Sequence, residues 1–244
     1  MADKNWNGYG QTDVGSVREE NQDSLAVLDH SGVWCVADGM GGHKEGGIAS
    51  HLVTQSLESL QQKEPQSLDE LLIETISILQ EANQALCDMS DSFYGEDLIG
   101  TTVVALLVRG DRGAVVWVGD SRLYRMRETA FEMVTRDHTQ FEELVSRGLI
   151  EDLSSEKTHP ASHMLTRALG VSRELNLDTI YLELEPGDRF LLCSDGLSNV
   201  IEQLDLGKAI YYSEDKQRAV ANLINMALAR QANDNVTALI VDRM

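Results

Sequence analysis

Val103-Val104-Ala105-Leu106-Leu107-Val108 is the stretch on which the fold turns. An unbroken apolar run this short, rich in β-branched residues, reads as a strand whose two faces are both covered. Such a strand needs a second sheet on one side and helices on the other. Ala114–Val118 follows across Gly110-Asp111-Arg112-Gly113, so its partner arrives through a hairpin and not through a βαβ crossover.

The flanking sequence continues in the same way. Leu25–Leu28 and Val33–Ala37 bracket the turn Asp29-His30-Ser31-Gly32, and Leu123–Met126 precedes Phe131–Val134. Ile180–Leu184 and Arg189–Cys193 bracket Pro186-Gly187, the pair suited to a type II turn, and are expected to form another hairpin. Helical spacing joins Ile48, Ala49, Leu52, Val53, Leu57 and Leu60, then Leu68, Leu72, Ile76, Leu79 and Leu86 behind the capping pattern Ser67-Leu68-Asp69-Glu70. A third helix is expected over about 214–230, and Val236–Val241 reads as the last strand. The expected fold class is α+β, a four-layer α/β/β/α sandwich of two antiparallel β-sheets flanked by helices. The segment from about 136 to 170 is poor in strand signal, carries a short capped helix from Thr139, and is read as a flap insertion. With 244 residues against roughly 150 for a typical domain, and only three Pro, one domain over 1–244 is expected.

Forty Asp and Glu against twenty Lys and Arg leave a formal charge of -20, which disfavours nucleic acid and anionic membranes as partners. No apolar run approaches the roughly 18 residues that span a bilayer. The first residues, Met1-Ala2-Asp3-Lys4-Asn5-Trp6, lack a secretion signal, and three Cys give no disulfide framework, so a cytoplasmic location is expected.

The acids are placed unevenly. Asp38 ends an apolar strand and precedes Gly39, Asp195 ends another and precedes Gly196, and Asp120 follows Val115–Gly119. Asp234 opens the last strand, and Asp23 precedes Leu25–Leu28. An Asp-Gly pair after one strand is by itself a turn signal. Five carboxylates at strand mouths instead suggest convergence at one edge of a sandwich, where oxygen-only ligands select hard ions such as Mg²⁺ or Mn²⁺. Arg18, five residues before Asp23, is the candidate cation for a phosphate, since its planar fork matches two phosphate oxygens.

Six ordered motifs then carry a resemblance. They are Thr12-Asp13-Val14-Gly15-Ser16-Val17-Arg18 through Asn21-Gln22-Asp23, Ala37-Asp38-Gly39-Met40-Gly41-Gly42-His43, Gly100-Thr101-Thr102, Val118-Gly119-Asp120-Ser121-Arg122, Ser194-Asp195-Gly196-Leu197, and Asp234-Asn235-Val236-Thr237. Over about residues 8–241 the chain resembles the bacterial PP2C-type (PPM) metal-dependent serine/threonine protein phosphatases. The resemblance implies the same sandwich, with a flap over 136–170, and two to three Mn²⁺ or Mg²⁺ ions. It implies that Asp38 bridges two ions, that the Gly39 carbonyl ligates the second, and that Asp195 and Asp234 complete the first. Asp23 would act there through water or a second-layer bond, Asp120 would join Asp195 at a third ion, and Arg18 would hold the substrate phosphate. Ions about 3.5–4 Å apart would activate a water for in-line attack without a covalent intermediate.

Two departures from the family pattern stand out. Met40 occupies the position where some members carry His as leaving-group acid, which leaves a metal-held water or His43 for that role. Gln22 stands where many have Glu, removing one negative charge beside the second ion. Phosphorylated proteins are the expected substrates, a separately encoded Ser/Thr kinase the expected counterpart, and a monomer the expected state. The rival readings are a noncatalytic phosphoprotein-binding module on the same fold, which should have lost a metal Asp or Arg18, and a hydrolase of small phosphoesters. Cys35 and Cys193 read as core residues, and no Cys is followed by Arg at the spacing of a thiol phosphatase.

Overall fold

Strand β5 (Val103–Arg109) is buried on both faces, as its sequence requires. Val103, Ala105 and Leu107 enter one core with helices, whereas Val104, Leu106 and Val108 enter another that lies between two sheets. The structure, a computed structural model, describes residues 6–41, 45–63, 67–94, 99–153, 156 and 159–243. The remaining strands are β1 (Trp6–Asp13), β2 (Asp23–Leu28), β3 (Val33–Met40), β4 (Gly100–Thr101), β6 (Arg112–Val118), β7 (Arg122–Arg127), β8 (Ala130–Met133), β9 (Asp178–Glu183), β10 (Arg189–Cys193) and β11 (Val236–Arg243). The helices are α1 (Glu45–Leu57), α2 (Leu68–Met89), α3 (Gln140–Ser146), α4 (Asp195–Ser198), α5 (Gln203–Tyr211) and α6 (Lys216–Ala229).

Among the described residues these strands form two antiparallel sheets, one ordered β1-β11-β10-β7-β8 and the other β2-β3-β5-β6-β9, with β4 paired to β3. Three apolar layers hold them. Helices α1 and α2 pack on the β3/β5/β6 face, helices α4 to α6 pack on the β10/β11 face, and Trp34, Leu106, Phe190 and Leu239 lie between the sheets. This is the expected four-layer sandwich. Ser67 caps α2 by accepting the Glu70 N–H at 3.1 Å, and Thr139 caps α3 through the Glu142 N–H at 3.3 Å.

One pairing differs from expectation. The turn at Pro186-Gly187 forms, with Gly187 at φ +93°, but β9 and β10 do not pair with each other. Strand β9 lies on β6 in one sheet, and β10 lies between β7 and β11 in the other. Leu182 and Leu184 before the turn, and Phe190 and Leu192 after it, all enter the inter-sheet core, so the turn carries the chain from one sheet to the other at the sandwich edge. Strand β1 and helix α5 also form, in stretches for which no element was expected.

Candidate metal centre

Five carboxylates gather at one end of the sandwich. Asp23 opens β2 and Asp38 lies near the end of β3, where the two are direct partners in the antiparallel register. Asp195 is the first residue of α4, just past β10, Asp120 lies between β6 and β7, and Asp234 lies just ahead of β11. Burial pushes the Asp38 carboxyl well above the usual carboxylate range, and Asp23, Asp195, Asp120 and Asp234 raise it further by repulsion. Asp195 is raised by burial and then by Asp234, and Asp120 by burial and then by Asp195 and Asp137. The field of each acid is felt by the next.

The backbone around Asp38 is fixed by the Gly100-Thr101-Thr102 motif. Asp38 N–H donates to Thr102 Oγ1 at 3.0 Å, and its carbonyl accepts from Thr102 N–H at 2.8 Å and from Thr101 Oγ1 at 2.9 Å. Gly39 N–H donates to the Gln22 carbonyl at 3.0 Å. A Cβ at Gly39 would stand 2.0 Å from the Gly46 carbonyl oxygen, so glycine is what allows the first turn of α1 to approach the end of β3. Gln22 therefore contributes through its backbone, which also accepts from Ser50 Oγ at 2.6 Å.

Asp23 is held by hydroxyls. Its Oδ2 accepts from Ser194 Oγ at 2.7 Å and from Thr237 Oγ1 at 2.6 Å, and Thr12 Oγ1 lies 2.7 Å behind Thr237. Among the described residues its buried Oδ1 has no partner. Burial raises Asp23 to about 6, against the two hydroxyl bonds, which lower it. Sequence reasoning missed the Ser194 and Thr237 roles; the signal was their place inside the Asp195 and Asp234 motifs.

Arg18 Nη2 donates to Asp234 Oδ2 at 2.7 Å while its side chain remains 54% exposed. The loop that carries it is stapled by Asn235, whose Nδ2 donates to the Val14 and Glu20 carbonyls at 2.9 and 3.0 Å and whose Oδ1 accepts from Gln22 N–H at 2.8 Å. One neighbouring residue thus sets both Asp234 and Arg18. In the 136–170 segment, the turn Pro160–His163 brings Ser162 and His163 to a small cleft that Asp120, Arg122, Asp137, Asp195 and Asn199 also line. His43 lies outside the described residues. His159 accepts from Ala161 N–H at 3.2 Å, a local cap.

All the candidate donors are oxygens, which suits a hard divalent cation. Among the described residues no three acidic, His or Cys side chains are close enough to grip one ion as they stand. The orphaned Asp23 Oδ1 and the raised Asp38 are nevertheless what cations would relieve, and the residues fit such ions.

Carboxylates and a half-exposed arginine gathered at one end of a two-sheet sandwich suit hard cations and a phosphate group. The family model described as protein phosphatase 2C matches residues 16–239, and the chain belongs to that family. It is 31% identical over 238 residues to the serine/threonine phosphatase stp of Listeria monocytogenes serotype 4b, covering 96% of this chain and 94% of that protein. It is 34% identical over 232 residues to the serine/threonine protein phosphatase PstP of Mycobacterium tuberculosis H37Rv, covering 95% of this chain and 44% of PstP. Among solved structures, PppA, described as a key regulatory component of T6SS in Pseudomonas aeruginosa, superposes with a TM-score of 0.88 at 33% identity, covering 98% of both chains. The PstP catalytic domain in complex with two manganese ions gives 0.85 at 31% identity, covering 98% of this chain and 99% of that one.

Proposed function

We propose that Asp38, Asp195, Asp234 and the Gly39 carbonyl hold two divalent cations, Mn²⁺ or Mg²⁺, with Asp120 and Asp195 available to a third, and that Arg18 receives the substrate phosphate. The chain is a protein serine/threonine phosphatase of the PP2C type, and these residues are its reaction centre. The observation that carries this reading is the apposition of Asp38 to Asp23 in register, with three further carboxylates acting on the same buried group.

When bound, the ions supply Lewis acidity that makes water a competent nucleophile near neutral pH. The chain's own residues do the rest. Thr101 and Thr102 fix the Asp38 peptide, while Ser194 and Thr237 keep the Asp23 carboxylate turned into the centre. Arg18, anchored at one nitrogen by Asp234, has donors left for two phosphate oxygens and so orients the phosphoryl group. Its charge also offsets the repulsion a dianion meets at a protein of charge -20.

Phosphoserine and phosphothreonine proteins are the substrates, and a separately encoded Ser/Thr kinase is the enzyme whose products this chain reverses. The binding-only alternative expects a lost metal Asp or Arg18, and each is present. Among the described residues no helix is long and apolar enough to cross a membrane.

The test is release of inorganic phosphate from a phosphothreonine peptide after chelation, then with Mn²⁺ or Mg²⁺ restored, beside Asp38→Asn and Asp195→Asn. Metal-restored turnover that both substitutions abolish is the expected result. Absence of turnover despite bound metal overturns the reading.

A further inference from the structure

Gly119, immediately before Asp120, has both of its backbone polar groups taken by a single residue, His138. Gly119 N–H donates to His138 Nδ1 at 3.1 Å, and the Gly119 carbonyl accepts from His138 N–H at 2.9 Å. The left-handed conformation at Gly119, φ +105°, places a hypothetical Cβ 2.5 Å from Thr102, so the peptide has little room to move on its other side.

His138 is itself over-determined. It is buried, its ring stacks on Trp117 with centroids 6.1 Å apart and planes 16° from parallel, and its Nε2 lies 3.2 Å from Asp178 Oδ2. Its carbonyl accepts from Thr166 N–H at 2.8 Å. An Nδ1 that accepts a peptide N–H leaves the proton on Nε2, where Asp178 receives it, so one tautomer satisfies both ring nitrogens. Burial lowers the His138 pKa, consistent with a neutral ring. Asp178 is in turn paired with Arg167 at 2.9 Å.

The mechanism above uses none of these groups, yet the adjoining carboxylate is a proposed ion ligand. Asp120 is buried and repelled by Asp195 and Asp137, and among the described residues no other side chain holds it by a hydrogen bond, with its own backbone hydrogen bond favouring the ionised form. Its aim depends on the peptide that precedes it.

We propose that His138 is a positioning residue for Asp120: by fixing the Gly119 peptide with Nδ1 it sets the affinity of the cation site that Asp120 shares with Asp195, touching neither ion nor substrate. This rests on the reading of Asp120 as an ion ligand. Residues behind the ligands of a metal site are generally worth about 10- to 100-fold in affinity.

The test measures stepwise Mn²⁺ binding to the purified full chain by calorimetry, in His138→Asn, His138→Gln, His138→Phe and Asp120→Asn. Asn carries an acceptor at the reach of Nδ1, Gln carries its polar group at the reach of Nε2, and Phe keeps only the stack on Trp117. Gln and Phe are expected to weaken the loosest Mn²⁺ step by about 10-fold or more, with the tighter steps unchanged and Asn close to the parent protein. Equal loss in Asn and Phe, or no loss in Phe while Asp120→Asn does weaken a step, overturns the positioning role alone. No effect of Asp120→Asn on any step overturns the ligand reading and the proposal with it. Since unfolding of the Phe variant, which removes two bonds, would mask the effect, the ring ¹⁵N shifts of His138 in the unaltered protein give a second measurement: a proton on Nε2 is required, and one on Nδ1 overturns the proposal.

Discussion

Asp23 and Asp38 sit opposite each other across the β2–β3 hairpin, two carboxylates in direct register, the first buried and the second partly so. Cross-strand like charges are destabilising even at a surface. Here burial amplifies the conflict, so the hairpin is strained while both groups are ionised.

In chelator, stability should therefore fall as pH rises. Asp23 is raised to about 6 in the fold against roughly 3.9 when unfolded, so between those values the folded chain binds more protons than the unfolded one. The stabilising contribution of the protonated form is present at the acid end of that window and lost as pH passes about 6. Thermal melts in EDTA at pH 5.5 and 7.5 should show the higher midpoint at the lower pH, with Asp38→Asn flattening the difference. Added Mn²⁺ should reverse the order, and equal midpoints would contradict the account.

Arg18→Ala should act on substrate more than on the fold, because the side chain is half exposed and pairs only at Asp234 among the described residues. Charge-assisted hydrogen bonds are worth about 1.5–3 kcal/mol, or roughly 10- to 150-fold in kcat/KM. Steady-state kinetics on a phosphothreonine peptide should place most of that loss in KM, with the melting midpoint nearly unchanged.

Gly39→Ala and Gly47→Ala make a contrasting pair. The first puts a Cβ 2.0 Å from the Gly46 carbonyl, whereas the second meets nothing closer than 3.6 Å. Overpacking of the first kind costs about 1–3 kcal/mol or more, and Gly39→Ala should also weaken Mn²⁺ binding as β3 and α1 part. Gly47→Ala lies in a helix and should be neutral or slightly stabilising. Parallel melts and calorimetry decide it.

Thiol reagents should leave the native enzyme active. Cys35, Cys87 and Cys193 are all buried and free, and burial pushes the Cys193 thiol up to about 12. A disulfide reagent should titrate none rapidly in buffer and three in guanidinium, with phosphate release unaffected by prior iodoacetamide.

The layers of this fold were legible because β5 and β6 are apolar on both faces, and the five acids were legible because each adjoins such a strand. Strand β1 was not, since Gly8 and Gly10 stand where alternating apolar residues would announce it. A Cβ at Gly8 would come within 2.4 Å of Trp34 on β3 of the facing sheet, so bulk from the opposite layer leaves no room for the residue that would have given the pattern. Helix α5 was hidden for a different reason, as Glu202, the residue just ahead of it, makes no side-chain cap bond. The Pro186-Gly187 turn was read correctly as a turn, but local chemistry does not say which sheet receives the next strand. In the centre itself, the Ser194–Asp23 and His138–Gly119 bonds join residues far apart in sequence, beyond the reach of motif spacing.

Strand β11, the C-terminal strand described, lies in the interior of its sheet between β1 and β10; the residues leading into it supply Asp234 and Asn235, and its own second residue is Thr237. During synthesis, Arg18 and Asp23 emerge long before the groups that anchor them. A ribosome-bound chain lacking β11 has no staple for the Arg18 loop and no Thr237 behind Asp23, so catalysis should switch on only when translation has passed this strand. A phosphatase arranged in this way should stay silent toward neighbouring phosphoproteins while it is still being made.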